Sequence, residues 1–285
     1  MSRIDLETAF ANKITKRTTT MLEGLNYPLT PRGKSTLNPL PPWYYSADFL
    51  EIEFWSDPGA VAALLPKGLD LDASANGHCN ALFYDSQFTG DNEEYLDPAR
   101  YQYREFFILV NAPFEDKPVA YCPYICGQRC GDCLRIGPRL SEAPGPDIPN
   151  QVLRRHGKGG PPLAPGSKFT GSLAAGGQRL AEGLVTLKEP VTNRSLLKQR
   201  PVVNLLHYPR LAADMRNKPA LHELVENVPH DVKIEQAWIG NGSLTLPVCR
   251  GEEISDLAPL RCGMGLRASM AYVVDDLKTL KDLRI

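Results

Sequence analysis

The sequence lacks a long hydrophobic run, an excess of charge of either sign and a leader of the secretory kind. No stretch of about 18 consecutive apolar residues occurs, so we expect no membrane-spanning helix. Lys and Arg number 32 and Asp and Glu number 33, which leaves no broad field for nucleic acid or an anionic membrane. The N-terminal residues mix charges throughout and contain no apolar core segment. The sequence therefore predicts a cytoplasmic protein without nucleic-acid or membrane partners.

Common catalytic and cofactor signatures are also missing. There is no GxSxG, P-loop or dinucleotide fingerprint, and the glycines of residues 157–160 lack P-loop spacing and precede two prolines. The histidines show no metal-ligand spacing: His78, His156, His207, His222 and His230. We expect neither a metal nor another cofactor.

The chain has seven cysteines, an odd number. Four are scattered, as is typical of free thiols in a reducing compartment: Cys79, Cys122, Cys249 and Cys262. The other three are clustered: Cys126, Cys130 and Cys133. Their spacing resembles the iron–sulfur motif of the radical SAM family. That family places the motif after the first strand of an α/β barrel, usually with an aromatic residue before the third cysteine, where this chain has Asp132.

Alternating apolar and polar residues predict many short strands and few helices. Strands are predicted at residues 49–55, 80–84, 103–111, 117–125, 168–174, 178–188, 202–208, 232–239 and 243–248. Helices are predicted at residues 5–25, after an Asp57 cap followed by Pro58, and at residues 267–283. This pattern favours a mostly β, β-rich α+β fold, an antiparallel β-barrel with flanking helices. We expect a single domain over residues 1–285, with an N-terminal helix within 1–25.

Residues 126–157 differ from the rest of the chain. No Phe, Tyr or Trp occurs between Cys126 and Lys168, four prolines crowd the segment, and no strand or helix period persists. Unstructured loops longer than about 15 residues are uncommon inside compact domains. The segment is therefore anomalous for a chain of this composition.

A shifted reading frame accounts for the anomaly. Codons that begin one base later, from Ile125 onward, permit a string that starts Y-V-D-N-D-A-A-I-A-S-G-L-V-Q-G-F-P-K-R. The shifted reading continues to Gly157, where it rejoins the written chain. Some positions are tightly constrained, because the codons of Glu142 and Ala143 can then give only Lys or Arg. We interpret the segment as frameshifted, with the place of a lysine straddled by Glu142 and Ala143.

The shifted string resembles the signature of acetoacetate decarboxylases, a V-D-N-D turn, an apolar run and G-F-P-K. The unshifted chain resembles the same family in order along residues 26–280. The matching pieces are PPWYYSADFLEIEFWSDPGAVAALLPKGLDLD, the Y-x-E strand at Tyr103 to Glu105, FTGSLAAGGQRLAEGLVTL, and the H-E-A-W-like strand at Glu235 to Trp238. The order of these pieces, together with the hidden lysine motif, makes the resemblance specific.

The resemblance implies a Schiff-base lyase that acts on a keto acid. In this family a lysine amine attacks the keto carbonyl, and the iminium accepts the electrons released when carbon dioxide leaves. The amine must be neutral, and acetoacetate decarboxylase is itself the standard example of a lysine activated in this way. The resemblance implies a catalytic role for Glu105, although an exposed strand carboxylate is an equal alternative. It also implies a pocket formed by Tyr103 and Trp238, with a buried core aromatic as the alternative for Trp238.

Two family residues are absent, which argues against acetoacetate itself as the substrate. The family arginine before the first strand aligns with Ala47, and a second glutamate aligns near Asn80 or Ala81. A larger keto acid is implied, with decarboxylase, aldolase or dehydratase chemistry left open. The alternatives are an inactive family member that binds a small molecule and, third, a radical SAM-like iron–sulfur protein. Family members are often homo-oligomers, and the same assembly is expected here.

Overall fold

The computed structural model describes residues 21–25, 28–36, 38–127, 160–210, 214–215 and 218–284. The chain divides into two units, Met1–Leu40 and Pro41–Ile285. In the first, Glu23 and Thr30 form an isolated antiparallel bridge. The predicted N-terminal helix lies almost wholly outside the described residues, as does the segment from residue 128 to 157. The single-domain interpretation stays a prediction.

Nine strands and two short α-helices make up the described part of the second unit. The strands are β1 (Trp43–Trp55), β2 (His78–Thr89), β3 (Gln102–Phe114), β4 (Lys117–Gly127), β5 (Lys168–Ala175), β6 (Gln178–Pro190), β7 (Val202–Tyr208), β8 (Leu221–Thr245) and β9 (Arg261–Asp282). The helices are α1 (Pro58–Leu64) and the single turn α2 (Pro98–Tyr101). Three short 3₁₀ turns lie at Glu94–Leu96, Arg194–Leu197 and Ile254–Leu257. The predicted mostly β fold is confirmed.

Seven of the strands pair in a closed circuit. The order is β8-β7-β4-β3-β2-β1-β9, and β9 pairs again with β8. The β5–β6 hairpin joins the circuit through the pairing of β6 with β8. All pairings are antiparallel except a short parallel contact between β4 and β7. The predicted antiparallel arrangement is therefore correct apart from this one pair.

Alternation along the strands produces two apolar faces rather than one. On β1, Phe49 belongs to a buried cluster with Tyr84, Leu109 and Leu266, whereas the adjacent Leu50 belongs to the main core. Successive side chains of a strand point to opposite faces, so a strand buried on both sides needs apolar residues at odd and even positions. The inner face of the strands lines a cavity enclosed by the circuit, and the outer face packs into the main core.

The outer core is covered by the β5–β6 hairpin. Phe83 is fully buried, and its ring lies 4.8 Å from that of Phe106. A Cβ atom at Gly183 would lie 2.6 Å from the Phe83 ring, and a Cβ at Gly171 would clash with the same ring. Glycines in the hairpin are needed here because a larger side chain would lift the hairpin off β2.

Helix α1 begins as the sequence predicts. The Asp57 side chain accepts a hydrogen bond of 3.0 Å from the backbone nitrogen of Ala60, and Pro58 occupies the first helical position. In the described residues, no helix is long or apolar enough to cross a membrane.

The predicted C-terminal helix is wrong. Residues 267–282 belong to β9, which runs for 22 residues and pairs with β8 on one side and, up to Val274, with β1 on the other. These pairings satisfy backbone hydrogen bonds of β9 and override its local helical pattern. The strand predicted at residues 232–239 and the first half of the one predicted at 243–248 are likewise one strand, β8, of 25 residues.

We predict that Phe83→Ala lowers the free energy of unfolding by about 3–5 kcal/mol, because it leaves a cavity beneath the β5–β6 hairpin. Urea unfolding followed by circular dichroism measures the change. Leu96→Ala serves as the control, since Leu96 is 70% exposed and its loss should cost less than about 0.5 kcal/mol. Similar losses for the two variants would contradict the packing described here.

Candidate functional site

A cavity of about 540 Å³ lies within the closed circuit of strands. Every strand of the circuit contributes to its lining. The apolar and aromatic lining residues include Trp43, Tyr45, Tyr84, Phe107, Leu109, Ile125, Val202, Ile234, Met270 and Tyr272. A largely apolar cavity with few polar groups is the usual form of a small-molecule site.

Strand β3 supplies the first polar group of the cavity. Four of its residues line the cavity at period two: Tyr103, Glu105, Phe107 and Leu109. Glu105 is half-buried and lies directly across from Tyr84 on β2 and from Gly127 at the end of β4. The exposed-carboxylate alternative for Glu105 therefore does not describe its position.

The carboxylate of Glu105 influences its neighbours. Burial first, and then the nearby charges of Glu51 and Glu105, raise the pKa of the Tyr84 hydroxyl. Burial, followed by the Glu105 charge, also raises the pKa of the Cys122 thiol. Tyr84 and Cys122 therefore remain neutral at physiological pH, and Cys122 is a poor nucleophile.

A second carboxyl group, Glu51 of β1, is half-buried on the inner face of the sheet and is not among the residues that line the cavity. Burial raises its pKa from 4.5 to about 7, and a hydrogen bond from Gln199 opposes this effect. The Gln199 side-chain nitrogen lies 3.3 Å from Glu51 Oε2, and Gln199 lines the cavity. Glu51 therefore communicates with the cavity through Gln199.

Two basic residues lie on the same segment as Gln199 and line the cavity. Lys198 is exposed, and Arg200 forms an ion pair of 2.9 Å with Asp72. Hydrogen bonds from Ser74 first, and then from Arg200, lower the pKa of Asp72 to about 2. Asp72 balances the charge of Arg200, so Lys198 is the cation that this segment offers to an anionic ligand. The cavity is also lined by the carboxylates Glu105 and Glu226.

An aromatic wall lies at another part of the cavity. The rings of Tyr45 and Tyr272 are stacked with centroids 4.8 Å apart, and Trp43 lines the cavity beside them. Tyr45 and Tyr272 are directly paired across β1 and β9. The cavity thus offers flat apolar surface for a substituent larger than a methyl group.

A smaller polar pocket of about 290 Å³ lies elsewhere on the strands. Two of its three carboxylates have ion-pair partners, since Asp48 pairs with Arg267 at 3.0 Å and Asp85 pairs with Arg104 at 3.3 Å, and the third, Glu235, is exposed. The larger cavity is therefore the candidate site.

The structure brings together two of the residues singled out from the sequence. Tyr103 and Glu105 line the cavity, whereas Trp238 packs against the main core and is not among the lining residues. Glu142 and Ala143 lie outside the described residues. Ala47 is buried in the cluster that faces the inside of the circuit, with no basic side chain at that position.

Sequence reasoning missed Glu51 and Gln199. The sequence predicts a strand at residues 49–55, and β1 is a strand there, but its alternation assigned no role to the glutamates. Glu51 is in register with Phe107, which lines the cavity, and Glu53 contacts His78 at 2.8 Å. The only local signal was the position of Glu51 between Leu50 and Ile52, which are both fully buried.

The three clustered cysteines are not assembled by the described residues. Cys126 lies in β4 and packs against the main core, and Cys130 and Cys133 lie outside the described residues. In the part of the chain that the structure describes, no group of three or more His, Cys, Asp or Glu could hold a metal ion. The antiparallel circuit is also not the α/β barrel that the radical SAM interpretation requires.

The family model described as acetoacetate decarboxylase (ADC) matches residues 26–126 and 151–283. No curated protein matches the chain significantly.

Solved structures of the same fold align over nearly the whole chain. The enduracididine biosynthesis enzyme MppR, solved with the condensation product of pyruvate and imidazole 4-carboxaldehyde, is 30% identical with a TM-score of 0.82, covering 92% of this chain and 98% of that one. The same enzyme solved with pyruvate is 29% identical with a TM-score of 0.80, covering 92% and 99%. An acetoacetate decarboxylase-like enzyme from Sphingomonas wittichii RW1 is 22% identical with a TM-score of 0.79, covering 92% and 100%, which supports the fold alone.

We predict that Glu51→Gln stabilises the protein at pH 8 and not at pH 5. The raised pKa means that the folded protein keeps a proton that the unfolded chain releases above about pH 4.5, so stability falls as the pH rises toward 7. Glutamine cannot ionise, and the gain at pH 8 should be about 1–3 kcal/mol. Urea unfolding at the two pH values measures it.

Glu53→Gln is the matched control, and its expected effect on stability at pH 8 has the opposite sign to that of Glu51→Gln. The hydrogen bond with His78 is the main cause that lowers the pKa of Glu53, so ionised Glu53 stabilises the fold. Its replacement should lower stability at pH 8. A Glu51→Gln variant that loses equal stability at both pH values would contradict the burial of this carboxyl group.

Proposed function

Because the chain belongs to the acetoacetate decarboxylase family, we propose that its cavity binds a keto acid and that the family chemistry proceeds through a Schiff base. The observation that carries the proposal is the position of Glu105. It lies on the cavity wall directly opposite Gly127, the last residue of β4. The segment that would contain the motif lysine therefore leaves β4 beside the candidate catalytic carboxylate.

The environment of the cavity suits the proposed reaction. A neutral lysine amine adds to the keto carbonyl and loses water to form an iminium, which then withdraws electrons from the neighbouring bond. Apolar surroundings and nearby cations both lower a lysine pKa. The aromatic wall provides the apolar surroundings, and the Arg that follows the motif lysine in the shifted string would provide the nearby cation. Glu105 would orient the substrate or exchange protons with it.

The substrate class is proposed from cavity size and from the missing family residues. A volume of about 540 Å³ falls within the range of about 300–1,000 Å³ that is usual for ligand pockets and exceeds the needs of a four-carbon acid. The absence of the family arginine at Ala47 also disfavours acetoacetate. MppR was solved with pyruvate and with a pyruvate condensation product, which supports a keto acid with a larger substituent here.

A frameshift in residues 126–157 is part of the proposal. The family match stops at residue 126 and resumes at residue 151. Such an interruption between two matched stretches favours a local change of reading frame, as the codons of Glu142 and Ala143 suggest. The nucleotide sequence across codons 124–158 tests this directly, because a one-base insertion or deletion must lie at each end of the segment.

The alternative is a family member that binds a keto acid without turning it over. One specific observation favours it. Among the described lysines, Lys198 alone lines the cavity, and it is exposed rather than buried in apolar surroundings. An exposed amine is mostly protonated at neutral pH and attacks a carbonyl slowly.

Borohydride trapping distinguishes the two possibilities. We predict that reduction in the presence of pyruvate leaves no covalent adduct on the present chain. A variant that carries the shifted-frame string should acquire one, because only that variant has an amine at the motif position. Intact-mass and peptide mass spectrometry measure the adduct and its position.

The controls act on separate parts of the proposal. Changing the motif lysine to alanine in the shifted-frame variant should abolish the adduct, whereas Glu105→Gln should preserve the adduct and slow turnover. If the present chain were trapped to the same extent and Lys198→Met abolished that adduct, Lys198 would be the nucleophile. The assignment of the nucleophile to the motif lysine would then be wrong. The cytoplasmic location and the homo-oligomeric assembly stay predictions.

A further inference from the structure

We propose that Glu51 couples keto-acid binding to proton uptake: its neutral form permits an anionic ligand in the cavity, and its ionised form repels one. The inference rests on the proposed function, since it concerns a ligand of the same cavity. Glu51 is a positioning residue in this account, because it reaches the cavity through Gln199 rather than touching the ligand.

The geometry of β1 turns Glu51 toward the cavity side of the sheet. Glu51 pairs across β1 and β2 with Leu82, which pairs in turn with Phe107 on β3. Residues directly paired across strands share a face. Phe107 lines the cavity and Leu82 belongs to the inner cluster, so the Glu51 side chain begins on the inner face.

Gln199 links this carboxyl group to the ligand space. Its side-chain nitrogen donates to Glu51 Oε2 at 3.3 Å. Lys198 and Arg200 flank Gln199 in sequence and also line the cavity. An anion attracted to Lys198 would therefore lie near the Gln199 amide, which contacts the Glu51 carboxyl group.

Burial raises the pKa of Glu51, and the nearby groups that change it further are Gln199, His78 and Glu53. Burial first, and then the charges of Glu51 and Glu105, raise in turn the pKa of Tyr84 on β2. Cys122 on β4, Glu226 on β8 and the cations Lys198 and Arg200 also line the cavity. The pKa values of Tyr84 and Cys122 are raised by burial, so neither ionises near neutral pH.

Glu53 does not supply the same switch. Its pKa is lowered, chiefly by the hydrogen bond with His78, so Glu53 stays ionised through the neutral range. Among the residues that the structure describes, Glu51 accepts its side-chain hydrogen bond from the neutral amide of Gln199 and forms no ion pair, and burial raises its pKa to about 7. An anionic ligand in the cavity would disfavour the ionised form of Glu51 further. Binding of the ligand would therefore be accompanied by uptake of a proton by Glu51.

Calorimetry with pyruvate tests the inference on the full chain. Titrations in two buffers of different ionisation enthalpy give the number of protons taken up. We expect close to one proton per pyruvate at pH 8 and close to none at pH 5.5, with affinity about tenfold weaker at pH 8 than at pH 6. Pyruvamide, a neutral analogue, should show neither effect.

Three variants separate Glu51 from its neighbours. Glu51→Gln should abolish proton uptake and retain the low-pH affinity at pH 8. Glu53→Gln should leave the uptake in place. A histidine can also change charge between pH 6 and 8, so His78→Gln is included, and it too should retain the uptake.

The outcomes distinguish this inference from the proposed function. Pyruvate binding without proton uptake at pH 8, or uptake that persists in Glu51→Gln, overturns the role of Glu51 and leaves keto-acid binding intact. No binding at any pH of either pyruvate or phenylpyruvate, a keto acid with a larger substituent, overturns the proposed function together with this inference. Because the uptake is measured on the unaltered chain, a variant that fails to fold does not prevent a decision.

Discussion

The second unit depends on the pairing of β9 with strands at both of its edges. β9 pairs with β1 along one edge and with β8 along the other, and this closes the circuit around the cavity. β8 and β9 are long, and their pairing contains several register shifts, which let paired strands bend. A strand that lacked either partner would leave an open sheet, with the cavity-lining residues facing solvent.

Closure of the seven-stranded circuit buries both faces of the strands, and the two faces have different roles. The outer face packs against the β5–β6 hairpin, where Phe83 fits against glycines at residues 171 and 183. The inner face combines a small cluster around Phe49 and Tyr84 with the cavity. Carboxyl groups on the inner face are half-buried, and their pKa values depend on their partners. A hydrogen bond with His78 lowers the pKa of Glu53, whereas burial raises that of Glu51 to about 7.

Local pattern predicted most strands because alternation at period two is a property of a few adjacent residues. Residues 103–111 and 178–188 fall inside β3 and β6, and the Asp57 cap is present. The C-terminal residues 267–283 were mistaken for a helix, since the pairings that make most of them a strand come from residues over 200 positions away in β1 and about 30 to 60 positions away in β8. For the site, the Y-x-E motif identified Tyr103 and Glu105, whereas Trp238 lies against the main core.

The sequence by itself determined the family, the mostly β class and the candidate carboxylate at Glu105, because these follow from ordered motifs and short-range periodicity. Tertiary structure decided which face of each strand looks into the cavity and which polar groups meet there. Glu51 and Gln199 are 148 positions apart in sequence and 3.3 Å apart in space. No local pattern encodes that approach. The pKa of a buried carboxyl group is a sum over neighbours from several strands, and closure of the sheet is what brings those neighbours together.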